Sequence, residues 1–113
     1  MNKCLTDCHE RIRNKLLTSD SYVVQVEAAS KIFSLLGEPN RMKKVLALME
    51  GELCVYHICE ITGGKQSATS QHLRKLKDGN IVKCRKEANQ VLYSLSDEHV
   101  VTIVKMALMH NHC

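Results

Sequence analysis

The chain has 113 residues, 44% hydrophobic and 25% charged, an ordinary globular composition that argues against disorder and suffices for one domain with a real core. No apolar run approaches the ~20 residues of a membrane span, and the opening residues lack an apolar export core, so a cytoplasmic protein with no membrane partner is expected. In such a chain six cysteines read as thiols and metal ligands rather than disulfides, and the net charge of +4 permits an anionic partner.

Residues 1–18 read as a polar, amphipathic N-terminal arm or helix. Over residues 23–36, Val23, Val26, Ala29, Ile32, Phe33 and Leu36 recur at helical spacing. Gly37 ends that helix, and Pro39 opens another that runs through Met42, Val45, Leu46 and Leu48 to Gly51. A short helix over residues 54–61 is broken by Gly63-Gly64, and the next, over residues 67–76, ends at Asp78-Gly79-Asn80. Together, residues 54–77 form a helix-turn-helix pattern. Beyond it the period changes to two: residues 81–86 pair with residues 90–95 across a loop holding Glu87, Ala88 and Asn89, a hairpin that makes residues 81–95 a wing. The closing helix, residues 97–113, is apolar on nearly every side and needs a partner. The expected architecture is a single domain over residues 1–113, mainly α with a small β-hairpin, a winged helix-turn-helix that forms a homodimer through its terminal helices.

That last helix also carries chemistry. Asp97 and His99 open it, and His110 and Cys113 close it. His99 and His110, eleven residues apart, return to one face but lie about 16 Å apart along the axis, too far for one ion with donor bonds near 2 Å. Antiparallel packing of this helix on its copy would bring Asp97 and His99 of one protomer to His110 and Cys113 of the other, forming two equivalent inter-subunit metal sites. Taken singly, Asp97 also reads as a first-turn acid and His110 as a C-terminal cation, neither of which predicts the paired spacing.

The second helix of the helix-turn-helix begins with Gln66, Ser67, Thr69, Ser70, Gln71 and His72, short polar groups of the kind that read base edges when a helix enters the major groove end-first. Lys65, Arg74 and Lys75 surround it, and Arg85 and Lys86 charge the wing, so double-stranded operator DNA is the expected partner. The bland alternatives are that Ser67 is an N-cap, that the lysines form a solvated face, and that His72 packs against Leu73 and the wing. No nucleophile–base pair, carboxylate pair or phosphate-binding glycine loop points to an enzyme.

Taken together, Glu52-Leu53-Cys54-Val55, the helix-turn-helix with Ser67, Ser70, His72-Leu73-Arg74 and Leu76, and the Arg85-Lys86-Glu87 wing resemble the ArsR/SmtB metal-responsive repressors. The resemblance runs over residues 26–110 in consistent order. It implies a winged-helix homodimer that binds operator DNA when metal-free, releases it on binding zinc, cadmium or lead, and so controls metal efflux or resistance genes. The last-helix residues match that family's inter-subunit site, with Cys113 standing where a carboxylate or histidine is usual. The family also uses N-terminal cysteines with the Leu-Cys-Val helix for large soft ions. Here Cys4 and Cys8 (i, i+4) and Cys54 and His57 (i, i+3) would supply three sulfurs and one nitrogen, suited to zinc or cadmium. Tyr56 stands where the cadmium pattern has a second cysteine, and His57 where the zinc pattern has an aspartate. The alternative is an arsenite-sensing or thiol-redox repressor of the same fold, using Cys54, Cys59 and an N-terminal cysteine. Cys59 and Cys84 read equally as small inward-facing apolar residues, and His9 and His112 as solvated.

Overall fold

The computed structural model of the protein describes residues 3–110, with side chains from residue 7 onward. Cys113 and the side chain of Cys4 lie outside the described residues. Six helices and three short strands follow in the order α1 (Lys3–Leu17), α2 (Asp20–Leu36), α3 (Pro39–Leu48), β1 (Leu53–Cys54), α4 (Val55–Thr62), α5 (Gln66–Asp78), β2 (Val82–Glu87), β3 (Gln90–Leu95) and α6 (Glu98–His110). The chain divides into two compact units, one up to Phe33 and one from Ser34 onward.

In the first unit, the apolar residues of α1 and α2 remain largely at the surface. Ile12 and Leu17 on α1 are 54% and 70% exposed, and Phe33 on α2 is 62% exposed. The expected α2 stripe therefore exists as a pattern, but Leu36 is its only buried member.

The second unit carries the core. Leu36, Val45, Leu48, Ile58, Leu73, Leu76, Ile81, Val82, Val100 and Val104 are all buried. They come from the end of α2, from α3, α4, α5, β2 and α6, and from Ile81 just before β2, so the packed centre lies where the helix-turn-helix meets the wing. The α2–α3 junction is braced from both sides. The Glu38 carboxylate accepts from the amides of Asn40 at 3.1 Å and Arg41 at 2.9 Å, capping α3 at the start that Pro39 presets. In return, the Arg41 Nε donates to the Leu35 carbonyl at 2.8 Å and its Nη2 to that of Ser34 at 3.3 Å, satisfying the carbonyls at the end of α2.

Two turns set the recognition segment. Between α4 and α5, Gly63 adopts φ 78°, ψ 171°, and Gly64 φ 98°, conformations that a Cβ opposes. After α5, Asn80 takes φ 61°, the Asn80 amide donates to the Lys77 carbonyl at 3.0 Å and the Ile81 amide to that of Leu76 at 2.9 Å. This is a Schellman closure with asparagine in the left-handed position, and it delivers Ile81 back onto Leu76 in the core.

The wing is larger than a hairpin. β2 and β3 pair antiparallel from Val82↔Leu95 to Glu87↔Gln90, so the turn contains only Ala88 and Asn89, and Ala88 is at φ 55°. β3 also pairs with β1, Leu53 opposite Tyr93 and Cys54 opposite Leu92, giving a three-stranded sheet in the order β1-β3-β2. Cys54, expected at a helix start, both ends a strand and stands at the N-cap position of α4, without a side-chain cap bond. A two-residue strand is too short for alternation to show.

Candidate nucleic-acid interface and metal centre

α5 is amphipathic in the strict sense. Thr69, Leu73 and Leu76 point inward at i, i+4 and i+7, while Ser67, Ser70, Gln71 and Arg74 share the outer side. The N-cap position is Lys65, in extended conformation with no side-chain cap, so Ser67 lies within the first turn rather than capping it. Lys65, Gln66, Ser67, Ser70, Gln71, Arg74 and Lys75 are all exposed, a polar and cationic surface at the N-terminal end of the helix. Thr69 corrects the sequence expectation. It is fully buried, with an Oγ1 that has no hydrogen-bond partner among the described residues, and cannot reach a base edge. Its position between Leu73 and Leu76 on the inward stripe explains why.

His72 is half-buried, and its Nδ1 is sealed from solvent without a hydrogen-bond partner among the described residues. Burial pushes its pKa below the usual histidine value, and the charge of Lys44, itself almost fully buried on α3, adds to the effect. Glu38 opposes the shift, while Arg41 and Lys75 reinforce it.

On the wing, Lys83 and Lys86 are exposed. Arg85 does not project freely as the sequence suggested. Its Nε and Nη2 donate to the two carboxylate oxygens of Glu52, both at 2.8 Å, and Nη2 also lies 2.7 Å from Glu87. These bonds, first to Glu52 and then to Glu87, raise the guanidinium pKa further, and the Arg85 bond lowers that of Glu52. Sequence alone gave no sign of this clamp, whose partners are 33 residues apart.

The candidate metal ligands fall into pairs. At the β1–α4 junction the buried Cys54 Sγ lies 3.4 Å from Nδ1 of the exposed His57, so a buried sulfur and a solvent-facing ring share one site. Both are ligands of the borderline-soft type that zinc and cadmium accept. In the first unit, the half-buried Cys8 accepts from Arg11 Nη2 at 3.6 Å. Cys59 and Cys84 are half-buried rather than enclosed. At the start of α6, Asp97 Oδ1 accepts from the amides of His99 at 2.8 Å and Val100 at 3.4 Å and lies 3.3 Å from His99 Nδ1. Partial desolvation raises the Asp97 carboxyl, but those two amides together with the charge and hydrogen bond of the His99 ring hold the pKa below the ordinary value. The His99 side chain is 91% exposed, and His110 is exposed at the far end of the same helix. Among the described residues, no three histidine, cysteine or acidic side chains converge as a metal site would require.

Comparison with known proteins places this arrangement. The profile described as "Bacterial regulatory protein, arsR family" matches residues 38–83, the stretch from the α3 cap to the wing. A cadmium resistance transcriptional regulatory protein CadC homolog of Staphylococcus aureus is 43% identical over 82 residues, covering 72% of this chain and 68% of that protein. The chain belongs to the ArsR/SmtB family of transcriptional regulators. Another relative, a transcriptional repressor SmtB homolog of Synechocystis, is 34% identical over 86 residues, covering 76% of this chain and 65% of that protein. The alignments thus span about two thirds of these two relatives' length. In the family's fold, the NolR structure from Sinorhizobium fredii matches with a TM-score of 0.72 at 31% identity, covering 79% of this chain and 89% of that one. The homodimeric winged helix-turn-helix DNA-binding domain Mb0332 of Mycobacterium bovis matches with a TM-score of 0.79 at 23% identity, covering 85% of this chain and 89% of that one, a likeness of fold. For this ArsR/SmtB regulator, α4 and α5 are accordingly the helix-turn-helix, and β2–β3 the wing. No helix among the described residues is long and apolar enough to cross a membrane.

Proposed function

We propose that the protein is a cytoplasmic metal-sensing repressor, one winged-helix domain over residues 1–113 that binds operator DNA as a metal-free homodimer and is released by a divalent ion, zinc, cadmium or lead, to control metal efflux or resistance genes. The observation that carries this reading is the pairing of an exposed polar, cationic α5 with two ligand pairs, the half-sheltered Cys54–His57 and the exposed Asp97–His99, in a chain 43% identical to a CadC homolog. Ser67, Ser70 and Gln71 are suited to base edges, Gln66 and the α5 amides to phosphate at the helix start, and Lys65, Arg74, Lys75 and Lys86 to phosphate on either side. The half-buried His72, close enough to Lys44 and Arg41 of α3 to feel their charge, serves to orient α5. Met106 and Leu108 of α6, 62% and 43% exposed, offer apolar surface for the partner helix.

Two candidate sites are proposed. Asp97 and His99 of one protomer with His110 and Cys113 of the other would hold an ion between subunits; Cys54 and His57 would supply a thiolate and an imidazole to a second. A bound ion would supply a bridge between the ligands that hold it, and would change DNA affinity only by the difference in its own affinity for the two arrangements. The chain's residues do the rest: Cys54, at the end of β1, ties its ligand pair to the wing sheet, and α6 sets the dimer that spaces the two α5 helices along the groove.

The test is fluorescence anisotropy with a labelled duplex selected by the wild-type protein from a random pool, with and without zinc, cadmium and lead. Metal should weaken binding by about 5- to 150-fold, the usual range of allosteric coupling. Cys54→Ser and His99→Ala identify the site by which one loses that response. Wild-type binding that ignores all three ions sinks the metal-sensing reading.

A further inference from the structure

Given the reading above that the winged helix binds DNA, we propose that Arg85 is a positioning residue that ties the wing to β1 through Glu52, and that it is not a phosphate contact. The sheet register sets up the tie. Arg85 on β2 stands opposite Leu92 of β3, and Leu92 in turn stands opposite Cys54 of β1; Glu52 immediately precedes β1, so the Arg85 fork reaches it diagonally across β3. β1 contributes only two paired residues, and beyond them the wing is a two-stranded ribbon, which has little stability alone. A bidentate guanidinium–carboxylate fork across the central strand fixes the angle at which that ribbon leaves the sheet.

Charge points the same way. Arg85 faces two carboxylates, Glu52 and Glu87, and Lys83 adds its charge beside Glu52, so the guanidinium is already matched by its neighbours. A DNA phosphate approaching Arg85 meets a cation already neutralised by its carboxylate partners. Lys83 and Lys86 are exposed on the same strand and form no salt bridge among the described residues, which leaves them as the wing's cations for a phosphate backbone.

The two roles predict opposite signs for one substitution. If Arg85 contacted phosphate, Glu52→Gln would free the guanidinium, remove a repelling charge and tighten binding. If Arg85 positions the wing, Glu52→Gln must weaken binding. We would measure the affinity of the full-length wild type, E52Q, R85K, R85Q and K86Q for the selected duplex across a salt series, with circular dichroism to verify folding. E52Q and R85K, which changes the fork but keeps the charge, should each lose about two- to five-fold in affinity with an unchanged salt slope. K86Q should flatten the log–log salt slope by about one. An E52Q protein that binds as well as or better than wild type, R85K at wild-type affinity, or R85Q with a slope reduced by about one would each overturn the inference. A wild-type protein that enriches no duplex overturns the DNA-binding reading and this inference with it.

Discussion

At the scale of single residues, His72 shows how a polar side chain on the helix-turn-helix can be partly withdrawn from solvent. Its ring is half-buried on α5, with Nδ1 lacking a partner among the described residues and the cations Lys44, Arg41 and Lys75 nearby, only Glu38 opposing them. Burial and those charges disfavour the imidazolium, so the folded pKa lies below the ordinary 6.5. A depressed folded pKa means that the unfolded chain binds the proton more readily. The stabilising contribution is therefore complete above the unfolded pKa and is lost as pH falls through it toward the folded value. Urea unfolding of wild type and His72→Gln between pH 5 and 8 should give curves that diverge below about pH 6.5, wild type losing stability faster. Parallel curves would show that His72 does not titrate against the fold.

At the scale of elements, the α4–α5 turn is the point on which the helix-turn-helix depends. Gly63, at φ 78°, ψ 171°, occupies a region that is essentially glycine's alone. An added Cβ there would meet nothing within 4 Å, so a substitution is penalised by backbone strain and not by a clash. Gly63→Ala should therefore cost about 1–3 kcal/mol in denaturant unfolding with an unchanged m-value. A loss under half a kcal/mol would mean that the turn relaxes to another conformation. The wing turn reaches positive φ through Ala88 instead, a choice with no explanation in the surrounding structure.

At the scale of the molecule, the last-helix ligands make a claim about stoichiometry. Because His99 and His110 would serve one site from different chains, His99→Ala and His110→Ala homodimers should each have both sites damaged. In the mixed dimer, one site loses both histidines while the other keeps its full set. Zinc binding at near wild-type affinity, about one ion per dimer, should reappear only on mixing, read by competition with a chromogenic chelator. If either single mutant binds zinc as wild type does, α6 is an interface alone and the thiolate at the other site must carry the sensing.

Much of this protein was legible without its fold. The helix periods, the Gly63-Gly64 and Asp78-Gly79-Asn80 breaks and the change to period two at residue 81 marked the winged helix-turn-helix, because each is a local preference that the packing confirms. The polar start of α5 was equally visible. Which of its residues face inward was not: Thr69 differs from Ser70 only by the 100° that separates neighbours on a helix, and the packing of Leu73 and Leu76 decides which is buried. Three features came from tertiary structure alone. β1 is two residues long and exists because β3 pairs with it. The Arg41 bonds back to the Ser34 and Leu35 carbonyls need the chain turned at Gly37 before they can form. The Glu52–Arg85 clamp joins residues that no spacing rule relates, and it turned a cation that composition assigned to DNA into one already held by carboxylates. Sequence patterns specify elements because their causes are local, whereas the partner of a long charged side chain is settled only when the sheet brings distant strands side by side.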